Sequence, residues 1–146
     1  MALAERRADA TWQGNLTEGQ GIINSGSGAL SQLAVTWASR TERSDGKTSP
    51  EELIAAAHAA CYAMAFSNTL SRAGTPPQQL HVNAVCTLDR TDTGVKIGSV
   101  TLDVTGTVPG LDEAGFEAAA RQAEQSCPVS NALRNNVAIT VNAHLG

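Results

Sequence analysis

Aromatic residues make up only 3% of this 146-residue chain and charged residues only 16%. With so few rings the core must be mainly aliphatic, and the surface is lightly charged. Ten Lys and Arg stand against fourteen Asp and Glu, a net charge of -4, and Arg6-Arg7 is the nearest approach to a basic cluster. That scarcity argues against nucleic acid or an acidic membrane as partner, since both need clustered cations. Three cysteines, an odd number without regular spacing, do not make a disulfide framework. Cysteine in this chain is therefore either chemical or simply buried.

Long apolar runs are also missing. Met1 to Gly14 has neither a long apolar core nor a cleavage-site pattern, so it does not read as a signal peptide. The longest apolar stretch, Leu53 to Phe66, contains His58 and is read as too short to span a bilayer. A cytoplasmic protein without a membrane partner is expected. The length suits a single domain over residues 1–146, large enough to bury a core without staples.

Turn residues and apolar periodicity divide the chain. Ala8 to Leu16, Gly21 to Ser25 and Leu33 to Arg40 read as strands, followed by a polar loop from Thr41 to Thr48. The clearest element starts at Ser49-Pro50-Glu51-Glu52. Ser49 suits an N-cap, Pro50 the first helical position, and Glu52 the far corner of a capping box. This helix runs to about Arg72, where Gly74 and Pro76-Pro77 stop it. From Leu53 to Phe66 it is apolar almost all round and rich in Ala, which predicts burial on most sides.

In His81 to Asp89 and Lys96 to Val108 the even positions are apolar and the odd ones mostly polar. That alternation predicts an antiparallel pair with one covered face, turned at Asp92-Thr93-Gly94. Asp112 then caps a helix to about Gln125, and Val137 to Ala143 forms a last strand. The order β-β-β-α-β-β-α-β implies an α+β fold.

Few residues suggest chemistry. Cys61 lies on the apolar helix and on composition alone reads as a small core hydrophobe before a reactive thiol. Cys127, in Ser126-Cys127-Pro128, falls at the start of a short helix reaching Arg134, with Pro128 as its first residue. Free backbone N–H groups there favour a thiolate, although a plain structural turn is the competing reading. One buried cysteine and one at a helix start are what a two-step thiol mechanism needs. Cys86 alternates with the apolar face of its strand and reads as core.

His58, three residues before Cys61, is either a base or a core histidine. A metal site from His58, Cys61 and Cys127 has little support, because the ligands show no close spacing. Arg40 and Glu51 are either ordinary surface charges or, because Glu52 has the capping task, a pair with Glu51 free for another role.

The stretch from Ser49 to Cys61 and the stretch Ser126-Cys127-Pro128-Val129-Ser130 resemble the two cysteine signatures of the OsmC/Ohr family of organic hydroperoxide reductases. Trp12-Gln13-Gly14 and Thr36 to Arg40 extend the similarity over nearly the whole chain. No arginine lies between Arg7 and Arg40, and Ala-Ala-His precedes Ala-Ala-Cys, which favours the OsmC branch over the Ohr branch.

The resemblance implies an OsmC-like α+β fold, with antiparallel sheets around a long central buried helix, in an intertwined homodimer without metal or organic cofactor. It implies that Cys61 attacks the peroxide, that Cys127 resolves the product, and that Arg40 and Glu51 serve the site. It also implies an external dithiol reductant such as a dihydrolipoyl group. A redox sensor with the same disulfide but no turnover is the alternative, and a binding module a third. Helix geometry adds a condition. Glu51 and Cys61 are ten residues apart on one helix, roughly 15 Å along its axis. A Glu51 that orients an arginine onto Cys61 must therefore act on the partner chain's Cys61.

Overall fold

The computed structural model describes all residues from Met1 to Gly146, which form two compact units, Met1–Leu53 and Ile54–Gly146. The first unit holds an antiparallel sheet of β1 (Ala8–Gln13), β2 (Gln20–Ser25) and β3 (Leu33–Val35) in that order. β1 is exposed along its whole length. The third strand is shorter than the expected Leu33 to Arg40. Thr36 and Ser39 form a reciprocal capping box that turns the chain into a short helix, α1 (Trp37–Thr41). Arg40 is thus helical and does not end a strand.

Helix α2 (Pro50–Arg72) begins as the sequence predicts, with the Glu52 N–H donating to Ser49 Oγ at 3.1 Å. The other half of the expected box is absent: the Glu52 carboxylate accepts from the Thr48 hydroxyl at 2.8 Å instead. The helix is also longer than its most apolar stretch. With 23 residues and a mean hydropathy of 1.2 over its best window, it is long and apolar enough to cross a membrane, contrary to the sequence expectation. Within the second unit, though, Tyr62, Phe66 and Leu70 lie one turn apart in the buried core. The expected burial on most sides is not met within one chain. Ala56, Ala57, Ala60 and Met64 are exposed on the other face, Met64 at 69%.

The sheet of the second unit is ordered β4 (Gln79–Thr91), β5 (Gly94–Thr107), β6 (Ala138–Leu145). β4 and β5 form the expected hairpin, turning at Asp92-Thr93. Its even positions stack in register: Val82 on Val104, Ala84 on Leu102, Cys86 on Val100. β6 continues these rows with Ala143, Val141 and Ile139 but runs parallel to β5. It is the one strand in this sheet reached by a crossover rather than a tight turn, and only a crossover permits parallel pairing.

The crossover is α3 (Glu113–Ser126) followed by α4 (Pro128–Leu133). Asp112 caps α3 through the Gly115 N–H, and Phe116, Ala120 and Ala123 form its buried stripe. Phe66 and Phe116 meet with ring centroids 4.9 Å apart. Gly106 makes room for Phe116: a Cβ there would lie 2.7 Å from its ring.

Candidate active site

The second unit brings both candidate cysteines together. Cys61 comes from the middle of α2. Cys127 is the residue at which α3 ends and α4 begins, and it is completely buried. Pro128 follows at the first helical position, so the chain turns sharply and aims the start of α4 at α2. The Cys61 thiol lies within hydrogen-bonding reach of the Cys127 thiol and accepts the Val129 backbone N–H. Both thiols are free.

Burial pushes the Cys61 thiol up, the Val129 N–H draws it down, and Cys127 pushes it up again, for a net rise. The second unit alone therefore stabilises the Cys61 thiolate through one backbone donor against a net opposing environment.

Two side-chain braces surround the Cys127 elbow. Arg134, at the end of α4, donates from Nη1 to both Glu124 carboxylate oxygens at 2.8 and 3.0 Å, and from Nη2 to the Glu124 carbonyl at 3.0 Å. That pair ties α4 back to α3. On the other side, His58 Nε2 and Ser130 Oγ are 2.7 Å apart, and both residues are completely buried. His58 thus turns to Ser130 and not to the thiols, as a core histidine of the kind the sequence allows. Burial lowers its pKa, with the Glu124 charge opposing. The Tyr62 hydroxyl donates to the Ala120 carbonyl at 2.8 Å, and burial, Glu124 and Cys127 all push its pKa up. Cys86 packs against the core beside Val100, as expected.

The first unit assembles the other two candidates. Arg40 donates from Nε and Nη2 to Oε1 and Oε2 of Glu51, both at 2.9 Å. This fork holds the guanidinium flat and leaves its remaining N–H groups available. Glu51 is 7% exposed, and Arg40 lies over Trp37 with Cζ 5.9 Å from the ring centroid. Arg40 also lines an apolar cleft of about 400 Å³ with Trp12, Leu16, Ile23, Val35 and Trp37.

Sequence reasoning missed the Val129 donor, the Glu124–Arg134 brace, the His58–Ser130 bond and the Trp12–Trp37 cleft. Ser130 and Trp12 lie in segments already singled out, but their partners are distant in the chain.

A thiol pair at a helix elbow, on an α+β frame, defines the class as cysteine-dependent redox proteins. Residues 43–142 match the family model described as OsmC-like protein. Peroxiredoxin OsmC of Escherichia coli is 37% identical over 134 residues, covering 92% of this chain and 93% of that one. The organic hydroperoxide resistance protein OhrA of Bacillus subtilis is 32% identical over 111 residues, 75% of this chain and 76% of that one. Among solved structures, an organic hydroperoxide resistance protein OsmC from Legionella pneumophila superposes with a TM-score of 0.79 at 28% identity, covering 99% of both chains. OhrB of Bacillus subtilis gives 0.75 at 27% identity, covering 94% of this chain and 97% of that one. The chain belongs to the OsmC family.

Proposed function

We propose that this protein is a thiol peroxidase that reduces organic hydroperoxides to alcohols, with Cys61 as the attacking residue and Cys127 as the resolving one. The observation that carries the reading is the meeting of the Cys61 thiol with both the Cys127 thiol and the Val129 N–H. The names of the relatives, peroxiredoxin and organic hydroperoxide resistance protein, support the substrate class.

In the first step the Cys61 thiolate attacks the distal peroxide oxygen, and the O–O bond breaks. The alkoxide leaves, takes up a proton and becomes an alcohol, while Cys61 becomes a sulfenic acid. The Arg40 guanidinium, held by Glu51, stabilises the thiolate and the charge developing on the leaving oxygen. In the second step the Cys127 thiolate attacks the Cys61 sulfur, forming a disulfide and expelling hydroxide, which is protonated to water. An external dithiol, a dihydrolipoyl group being the favoured class, reduces that disulfide and is itself oxidised.

The site belongs to a symmetric homodimer, with Arg40 and Glu51 of one chain serving Cys61 and Cys127 of the other. The ten-residue spacing of Glu51 and Cys61 on α2 supports this arrangement, as does the exposed apolar face around Ala60 and Met64. The Arg40-lined cleft receives the organic tail of the substrate, in keeping with its Trp, Leu, Ile and Val lining. The family match spans the boundary between the two units, which supports reading residues 1–146 as one functional domain. The free thiols of Cys61 and Cys127 suit a reducing compartment such as the cytoplasm.

The test is consumption of cumene hydroperoxide by purified protein with a dithiol present. Sustained turnover, abolished in Cys61→Ser, supports the peroxidase. A single stoichiometric equivalent selects a redox sensor, and no consumption rejects both.

A further inference from the structure

The two cysteines are carried by different elements, and a second pair of residues joins the same two elements. His58 precedes Cys61 by three residues on α2, and Ser130 follows Cys127 by three at the start of α4. At that spacing His58 lies on the same face of α2 as Cys61, about one turn away, and Ser130 lies in the first turn of α4, just after the Cys127 cap. The His58–Ser130 bond therefore runs alongside the thiol pair, one turn before Cys61 on α2 and three residues after Cys127 on the α4 side.

The bond is short, at 2.7 Å, and closed to solvent at both ends. In such an environment a satisfied hydrogen bond is stronger than in water, and breaking it leaves buried polar atoms unpaired. His58 has no other polar anchor: its Nδ1 is buried without a partner. An aliphatic residue would fill that core position without burying a ring nitrogen. What His58 adds is a directional tie to Ser130. The other brace at the elbow, Glu124–Arg134, joins α3 to α4 and does not fix α4 against α2.

We propose that the His58–Ser130 hydrogen bond is a clamp that holds α4 in register against α2, so that Cys127 stays poised to close on Cys61 during the resolving step. His58 and Ser130 are positioning residues, which touch neither peroxide nor sulfur in the reaction. The proposal rests on the assignment of Cys61 and Cys127 made above. Its consequence is a competition. The Cys61 sulfenic acid either meets Cys127, forming the disulfide and releasing water, or meets a second hydroperoxide, which oxidises it to sulfinic acid and leaves as the alcohol. Loosening the clamp slows only the first route.

The experiment compares the intact dimer with Ser130→Ala, His58→Leu and His58→Gln forms, using cumene hydroperoxide without reductant. Stopped-flow measurement follows the first oxidation of Cys61, and intact mass spectrometry gives the sulfinic acid to disulfide ratio at fixed peroxide excess. In Ser130→Ala and His58→Leu the ratio should rise by about three- to tenfold, the range for one lost hydrogen bond. The first oxidation should stay within about twofold of the parent, as expected for groups that make no contact in that step. His58→Gln, whose side-chain nitrogen reaches the place of Nε2, should restore most of the parent ratio. Phe66→Leu, which loosens the same helix without touching the clamp, should leave it unchanged.

Ser130→Ala deletes one oxygen atom and decides the matter even if His58→Leu fails to fold. An unchanged ratio in folded Ser130→Ala overturns the clamp, as does an equal rise in Phe66→Leu. Loss of the first oxidation in the Ser130 and His58 variants also overturns it, by placing these residues at Cys61 itself. A parent protein that forms no disulfide overturns the Cys127 assignment and the clamp together, a result read before any clamp variant is made.

Discussion

Arg40 and Glu51 form a two-pronged pair, Nε to Oε1 and Nη2 to Oε2, with both bonds at 2.9 Å. Lysine keeps the charge but has no planar fork, so Arg40→Lys should slow the first reaction with peroxide by about a hundredfold. Stopped-flow rates measure the effect. Unchanged rates in both Arg40→Lys and Arg40→Ala would remove Arg40 from the site and direct attention to Arg6, Arg7 or Arg43.

The two cysteines should fail differently. Cys61→Ser should lose all turnover, whereas Cys127→Ser should react rapidly once and then accumulate over-oxidised Cys61. Reversed behaviour, with initial thiol oxidation lost in Cys127→Ser and kept in Cys61→Ser, would exchange the roles. Cys86→Ala should keep full turnover, at a stability cost of about 1 kcal/mol for a small core cavity, measured by denaturant titration.

Much of this fold is legible in the chain because its signals are local. The even-numbered apolar residues of β4 and β5 predict the covered face, and Asp112 and Pro128 announce the helices they begin. The short helix α1 is not legible in the same way. Trp37-Ala38-Ser39-Arg40 carries little helical periodicity, and its defining feature is the reciprocal Thr36–Ser39 bonding. The parallel pairing of β6 and the His58–Ser130 bond depend on residues brought together by the crossover, the latter across 72 positions. Local patterning contains no signal for either. The cysteine candidates are legible because their two motifs together are specific, whereas Arg40 rests on a looser match to its segment and the partners that orient these residues have no local signal.

The shared-site arrangement predicts complementation. Cys61→Ser and Glu51→Ala proteins, each inactive, should regain about a quarter of parental activity after unfolding and refolding together. Half the dimers would then be mixed, with one intact site in each. No recovery despite confirmed heterodimers would place Glu51 and Cys61 of the same chain in one site.

The exposed face of α2 should carry the subunit contact. Met64→Asp places a charge beside Ala60 on that face, and sedimentation should show a shift from dimer to monomer with loss of turnover. Phe66→Ala, on the buried face, should instead cost about 3–5 kcal/mol of folding stability. A dimeric, active Met64→Asp protein would locate the contact elsewhere.

The parallel position of β6 has a consequence for synthesis. A hairpin can close as soon as its second strand has left the ribosome, but β6 cannot join β5 until α3 and α4 have been made and have crossed the sheet. Cys127 lies within that crossover, and the eight residues of the strand that anchors it to the sheet are translated after it. During elongation, Cys61 is therefore present well before Cys127 is fixed in place. A nascent chain stalled before Ala138 would carry the Cys61 thiol without the fixed Cys127 neighbour that it meets in the folded unit.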